Sequence, residues 1–342
     1  MKNLLIATGL LLLTATSCKK YDTPGKEPGK NAILNNMVRG ADVSWITEME
    51  AAGIKFYDTT GTQKEGMQLM KDMNMNAIRL RVWVNPANGY NNLADVTAKA
   101  VRANNLGMKL LIDFHYSDSW ADPGQQTTPA AWSTQDIAGL QTSVYNHTHD
   151  VLTALKAKGI VPAWVQVGNE TNNGMLWPLG KASDHMANFA LLINAGYKAV
   201  KEIDSNIKVI VHLANGYDNS VFRWMFDGLT TNKTNYDIIG MSLYPATSEW
   251  QTPNQQCEAN MKDMISRYNK EIMLCEVGMP ATAPTACNYF ITDLFSRVHN
   301  LPGNKGLGIF YWEPEAYNNW QGYALSAFDA TGKPTFALDA FR

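Results

Sequence analysis

The chain has 342 residues, 45% of them hydrophobic and 18% charged, with a formal charge of −2 at neutral pH. That balance describes a folded protein with material for one large core or two modest ones, and it offers no basic surface for nucleic acid or an acidic polymer. A neutral substrate is expected, and ten Trp and fourteen Tyr supply more aromatic faces than packing requires, the kind of surface on which sugar rings stack.

The N-terminus, "MKNLLIATGLLLLTATSCKK", has one Lys, an apolar run of about ten residues and then small residues. This reads as a secretory signal, too short to remain as a membrane span. Ala15-Thr16-Ser17 places a small-x-small cleavage site directly before Cys18, and the stretch resembles a bacterial lipoprotein signal, in which Cys18 becomes the lipidated first residue. The expected organisation is a signal over residues 1–17, a Lys-, Pro- and Gly-rich tether over 18–33, and one domain over 34–342. The expected location is outside the cytoplasm, as an outer-membrane lipoprotein on its periplasmic or cell-surface face. The only expected membrane contact is the N-terminal lipid, and the chain is expected to act as a monomer.

Beyond the tether, short apolar runs alternate with longer amphipathic segments. The runs are "MVRGADVS", "MNAIRLRVWV", "MKLLIDFHY", "AWVQVGNE", "IKVIVHL", "YDIIGMSLY", "EIMLCEVG" and "LGIFYWEP". Between them lie helical patterns such as "TQKEGMQLMKDM", "LADVTAKAVRANNL" and "NYFITDLFSRVHN". Eight strands separated by helices predict an α/β fold, a single (β/α)₈ TIM barrel. An open doubly wound sheet is the alternative, but no Gly-rich phosphate loop follows an early strand.

Three cysteines remain after Cys18. Cys275 lies within an apolar run and reads as a buried thiol, whereas Cys257 and Cys287 lie in loop-like sequence on either side of it and either pair or stay free. No cysteine spacing resembles a zinc site.

In a barrel of this kind the site gathers at the C-terminal ends of the strands. Those ends carry Arg81 and Trp83, then Asp113, His115 and Tyr116, then Asn169 and Glu170, then His212, Tyr244, Glu276, Trp312 and Glu313. Glu170 closes the fourth strand and Glu276 the seventh, so the two carboxylates face each other over the mouth. One neutral and one ionised carboxyl are the equipment of a glycosidase.

The motifs "RGADVSW", "RLRVWVNP", "LLIDFHYSDSWADPGQQ", "WVQVGNETNNGMLWPLG" and "GIFYWEPE" together resemble glycoside hydrolase family 53, the arabinogalactan endo-β-1,4-galactanases of the retaining clan A, from about residue 36 to the end. The resemblance implies Glu170 as general acid/base, Glu276 as nucleophile and Asn169 as a ligand of the sugar 2-hydroxyl. Arg81 and Tyr244 are expected to hold Glu276 ionised. Trp312 is expected beneath the sugar at the cleavage point. His115 and His212 belong either to the site or to the core, as do Trp83, Trp120 and Trp177, the candidate stacking platforms. Asp113 and Asp118 are candidate ligands of sugar hydroxyls, and Asp122 a loop residue. Glu313 and Glu315 rival Glu276 as nucleophile, but Pro314 between them suggests a turn, while Glu276 sits at a strand tip.

The expected partner is a polysaccharide, β-1,4-galactan, and no cofactor is expected. Some family members hold calcium after strands seven and eight, but the loop after Glu276 has no acidic residue until Asp293. Mannan, xylan or glucan are the alternative substrates, and a non-catalytic glycan-binding lipoprotein is the alternative of another class.

Overall fold

The computed structural model describes residues 33–342; residues 1–32, with the signal, Cys18 and most of the tether, lie outside the described residues. Eight parallel strands close into a barrel: β1 (Val38–Asp42), β2 (Ala77–Val82), β3 (Lys109–Phe114), β4 (Trp164–Val167), β5 (Lys208–Leu213), β6 (Ile238–Leu243), β7 (Glu271–Val277) and β8 (Gly306–Trp312). β8 returns to pair with β1, so Asp42 lies beside Trp312. Closure leaves no unpaired strand edge among them.

The first connection carries two short helices, α1 (Ile46–Ala51) and α2 (Gly66–Asp72), with a two-residue hairpin between them. The others carry α3 (Leu93–Asn105), α4 (Ile137–Ala157), α5 (Ala182–Ile203), α6 (Asn219–Thr231), α7 (Gln251–Tyr268) and α8 (Pro284–His299). Side chains stop several of the helix starts cleanly. Asn92, Asp136 and Asp218 accept from the backbone N–H of Asp95, Gly139 and Val221, and such a cap contributes about 1 kcal/mol. After β8 no long helix follows. A 3₁₀ segment, Phe336–Phe341, packs on α8 instead, with the Phe341 ring edge-on to Phe295 at 5.3 Å.

Two apolar layers result from strand alternation. Ile78, Leu80 and Val82 of β2, Ile112 and Phe114 of β3, and Val209 and Val211 of β5 face the helices. Val38, Ala77, Leu111, Trp164, Ile210, Ile238, Met273, Cys275 and Phe310, from all eight strands, plug the barrel's lower interior. Above that plug the inward positions turn polar: Asp42, Arg79, Arg81, Asp113, Gln166, His212, Ser242 and Glu276 are all buried. The plug closes one end, so the chemistry is confined to the other.

Cys257 and Cys287 lie in helices rather than loops, on α7 and α8, and both are buried free thiols. Cys275 is likewise buried and free. The helical start of α7 was masked in sequence by Pro253 and a run of amides, yet proline is accommodated in a first turn because its missing N–H has no partner to lose there. No helix among the described residues is long and apolar enough to cross a membrane.

Candidate active site

Strict alternation would send Asn169 and Glu170 to opposite faces of β4. The chain avoids this just beyond the strand, where Gly168 takes φ +90° and Glu170 φ +43°. A Cβ on Gly168 would sit 2.6 Å from Thr171 Cγ2, so this turn requires glycine. Both Asn169 and Glu170 then line the cleft. A glutamate held at positive φ is uncommon and is characteristic of a site that over-determines its geometry.

β7 uses a different device. Met241 pairs with Leu274 but Ser242 with Glu276, and on the other side Ile309 pairs with Leu274 but Tyr311 with Val277. One extra residue is thus accommodated at Cys275-Glu276, a β-bulge. Cys275 points into the barrel plug, and Glu276 beside it also turns to the mouth.

The two carboxylates, with His212, place one ligand atom each within 4.8 Å of one another. Glu276 accepts the Tyr244 hydroxyl at 2.8 Å and meets Nη2 of Arg79 at 2.9 Å. Glu170 accepts the Ser242 hydroxyl at 2.6 Å. Among the described residues it makes no ion pair.

Arg79 is the hub. Its guanidinium touches Asp42 at 2.7 Å, Asp113 at 2.9 Å, the Asn169 side-chain oxygen at 2.9 Å and Gln166 at 2.8 Å, besides Glu276. The expectation that Arg81 holds Glu276 is therefore corrected. Arg79 and Arg81 both point inward from β2, but Arg81 stands one pleat nearer the rim and bonds Glu313 Oε1 at 2.6 Å. There its guanidinium is enclosed by the rings of Trp120, Trp45 and Trp83, at 4.4, 5.1 and 5.2 Å. It organises the aromatic rim rather than the nucleophile candidate.

One guanidinium serves three buried carboxylates in this network. Burial is the largest influence on Glu276 and raises its pKa, opposed by Arg79 and the Tyr244 hydroxyl. Burial, followed by the charge of Glu276, pushes Glu170 up to about 8. Of the two, only Glu276 has a cation in contact, so Glu276 ionises first and Glu170 keeps its proton. Carboxyls with separated tasks need this inequality.

His115 and His212 both belong to the site. His115 Nδ1 accepts from Trp83 Nε1 and from the Ala121 N–H, both at 3.2 Å, so Nε2 carries the hydrogen and donates to Asp113 at 3.0 Å. His212 is fully buried, with Nε2 2.8 Å from Ser242 Oγ. Burial, then the charge of Arg79, holds its pKa well below the usual value, so it is neutral.

A family model, Glycosyl hydrolase family 53, matches residues 38–341. The chain belongs to glycosyl hydrolase family 53. An arabinogalactan endo-β-1,4-galactanase of Thermothelomyces thermophilus is 34% identical across 82% of this chain and 90% of its own, and a probable galactanase of Neosartorya fischeri is 35% identical across 82% and 85%. Among solved structures, a fungal β-1,4-galactanase superposes with a TM-score of 0.83 at 32% identity, covering 89% of this chain and 98% of its own. The family 53 catalytic domain of Ignisphaera aggregans gives 0.82 at 30%, covering 90% and 96%.

In this family 53 chain the cleft above the carboxylates has a volume of ≈ 390 Å³ and continues past Trp120, Asp122, Trp312 and Tyr323 into an aromatic groove that also contains Trp45 and Trp83. Trp312 packs against Tyr323 at 4.6 Å and Trp45 at 5.2 Å. Three of the candidate sugar ligands are not among the residues that line this cleft and groove. Trp177 lies in the loop after β4, its Nε1 bonded to Asn173 O. Asp113 is fully buried beneath the site and engaged by Arg79, His115 and Gln166. Asp118 braces loops by accepting the N–H groups of Asn85 and Ala130.

Glu313, a rival nucleophile, is fully buried against Arg81 and the Trp45 N–H, and Glu315 is fully buried beside it. Neither lines the cleft. Sequence reasoning missed Arg79, Ser242, Gln166, Trp45 and Tyr323. A usable signal was present for the first: a charged residue two positions before Arg81 in an apolar strand must share its face.

Proposed function

We propose that this chain is a retaining endo-β-1,4-galactanase that cuts internal bonds of pectic galactan. One observation carries the reading: Glu170 and Glu276 bring one carboxylate oxygen each within 4.8 Å of the other, which favours the close pair of a double displacement, about 5–5.5 Å between carboxyls, over the roughly 6.5–9.5 Å that an inverting pair leaves for a water. Glu276, steadied by Arg79 and Tyr244, attacks the anomeric carbon, and the bond to the leaving sugar breaks as Glu170 protonates its oxygen. Water then enters, gives its proton to Glu170 and releases the sugar from Glu276. Asn169 meets the 2-hydroxyl, and Trp312 forms the floor. The names of the relatives favour galactan over mannan, xylan or glucan.

No metal or cofactor enters these steps. The loop of residues 278–283 carries no acidic side chain, and the first acid after it, Asp293, is engaged by Asn254 and Arg297. Those donors do not fit calcium, which takes six to eight oxygens. Export and lipidation at Cys18 complete the reading. Incorporation of a labelled fatty acid that is lost in Cys18→Ala tests the anchor.

The deciding assay measures reducing ends released from linear β-1,4-galactan, with mannan, xylan and glucan in parallel, for the wild type, Glu170→Gln and Glu276→Gln. Cleavage of galactan by the wild type, with near-complete loss in both variants, is expected. Cleavage of another glycan moves the substrate, and cleavage of none returns the binding-protein reading.

A further inference from the structure

Gln166 is the last residue of β4 paired with β5, opposite Ile210. The chain then turns out through Gly168 and Glu170, both at positive φ, while β5 runs on to Leu213. The peptide groups at the tip of β5 therefore have no strand beside them on the β4 flank, and buried N–H and C=O groups need partners. Thr171 supplies the first by donating its N–H to His212 O at 2.8 Å. For Ala214, which is buried and lines the cleft, the partner is a side chain. Asn172 Oδ1 accepts the Ala214 N–H at 2.7 Å, and Asn172 Nδ2 donates to Ala214 O at 3.1 Å. The carboxamide makes both bonds that an adjacent strand residue would make.

The main chain of Asn172 holds the other end. Its N–H donates to Glu170 O at 2.8 Å, so one residue joins the Glu170 carbonyl to the tip of β5. On the opposite flank, Gln126 Nε2 donates to Asn169 O at 2.8 Å. Glu170 lies between these anchors at φ +43°, a conformation that a residue with a Cβ keeps only where its surroundings over-determine it. Among the described residues its carboxyl has one hydrogen-bond partner, the Ser242 hydroxyl. The backbone therefore does most to aim it.

We propose that Asn172 is a positioning residue for Glu170, acting through the turn that it ties to β5. This rests on Glu170 being the acid/base of the proposed function. Asn172 is not among the residues that line the cleft, so it acts on the reaction only through its neighbours. Loss of the carboxamide frees the β5 side of the turn, and Glu170 relaxes away from the oxygen it must protonate and the water it must deprotonate. Glu276 is held independently, by Arg79 of β2 and by Tyr244 just after β6. Attack on a substrate whose leaving group needs no proton is therefore spared.

The test compares Asn172→Ala and the nearly isosteric Asn172→Asp, which still accepts the Ala214 N–H but sets an oxygen against Ala214 O, with Glu170→Ala as the benchmark. The substrate is 2,4-dinitrophenyl β-1,4-galactobioside, whose departure needs no acid. Its kcat/KM reads formation of the glycosyl-enzyme and the fraction of folded sites, and its kcat reads the attack of water, which needs the base. In both Asn172 variants kcat is expected to fall about tenfold, the order set by two neutral hydrogen bonds, while kcat/KM stays within about threefold. Azide attacks the anomeric carbon without a base, releases Glu276 as a carboxylate and forms galactobiosyl azide, so it restores kcat as in Glu170→Ala. On linear β-1,4-galactan, whose leaving sugar needs the proton, kcat/KM falls about tenfold as well.

A partly folded protein would lower kcat and kcat/KM on the dinitrophenyl substrate together. A displaced Ala214 wall would weaken galactan binding with no azide effect on that substrate. Either result in both variants overturns the inference, as does wild-type behaviour in Asn172→Asp. If the wild type cuts no galactan and azide does not rescue Glu170→Ala, the functional reading has failed and this inference with it. If Glu170→Ala is rescued and the Asn172 variants are not, the functional reading stands and this inference alone falls.

Discussion

Arg79 Nη2 stands 2.9 Å from Glu276 Oε1 and also 2.9 Å from Asp113 Oδ2. The same guanidinium reaches Asp42, so its single charge stands against three carboxylates in the barrel's upper interior. Removing it leaves those charges uncompensated. Arg79→Met is expected to cost about 3–5 kcal/mol and to move the acid limb of kcat/KM to higher pH, because Glu276 loses its cation. Urea unfolding and pH–rate profiles check this. If Arg81→Met moves the acid limb and Arg79→Met does not, the assignment of the two arginines is reversed.

Glu170, pushed up to about 8 by burial and by Glu276, sets the opposite limb. It acts first as an acid, so kcat/KM on galactan is expected to fall as pH rises through about 8. With a dinitrophenyl leaving group that needs no proton, the alkaline fall in kcat/KM should flatten. A basic limb unchanged by the leaving group would remove Glu170 from the role.

Stability should also fall as pH rises. Glu313 is pushed up to about 7, and Glu315 well above its ordinary value, chiefly by burial. An unfolded glutamate ionises near about 4.3. Above that pH the unfolded chain binds fewer protons than the folded one, so the protonated, buried carboxyls stabilise at low pH and that contribution is lost through the folded pKa values. Each such group contributes about 1.4 kcal/mol per pH unit inside its window. Thermal unfolding should therefore occur at lower temperature at pH 8 than at pH 5, with a shallower difference in Glu315→Gln. An identical pH dependence in that variant would mean that Glu315 is already ionised in the fold.

The eight strands were legible because each is a continuous apolar run ending on polar residues, and Glu170 and Glu276 because they sit at such ends. Depth within the barrel was not legible. Arg79 and Arg81 share a face by alternation, and sequence spacing cannot say which reaches the nucleophile and which the rim. Ser242 was hidden as a small polar residue inside "GMSLY", unremarkable until the third dimension sets it between Glu170 and His212. The bulge that turns Glu276 inward exists only in the pairing of β7 with both neighbours.

The cysteines provide an independent check on the helical shell. Burial pushes the thiols of Cys257 and Cys287 up to about 12 and that of Cys275 further still, so none is a nucleophile in the folded state. Native protein is expected to leave all three unreacted with a disulfide reagent over minutes and to titrate all three once unfolded. Reductant should not change its melting temperature. A drop on reduction would indicate a disulfide between Cys257 and Cys287.

Trp312 and Trp177 should separate cleanly. Trp312→Ala removes the floor beside Trp45 and Tyr323 and is expected to lower kcat/KM on galactan by 2 kcal/mol or more, about thirtyfold. Trp177→Phe is expected to change kcat/KM less than about threefold and to act mainly on melting temperature. The reverse order would relocate the sugar-binding face.

Trp45, Trp83, Trp120 and Trp312 are linked by neighbouring ring separations of 5.2–5.9 Å, close enough for light absorbed by one indole to pass to the next. The groove therefore contains its own optical reporter. An oligosaccharide seated over Trp120 and Trp312 displaces water from their faces and moves the shared emission to shorter wavelength, so occupancy can be read without a label on the inactive Glu276→Gln protein.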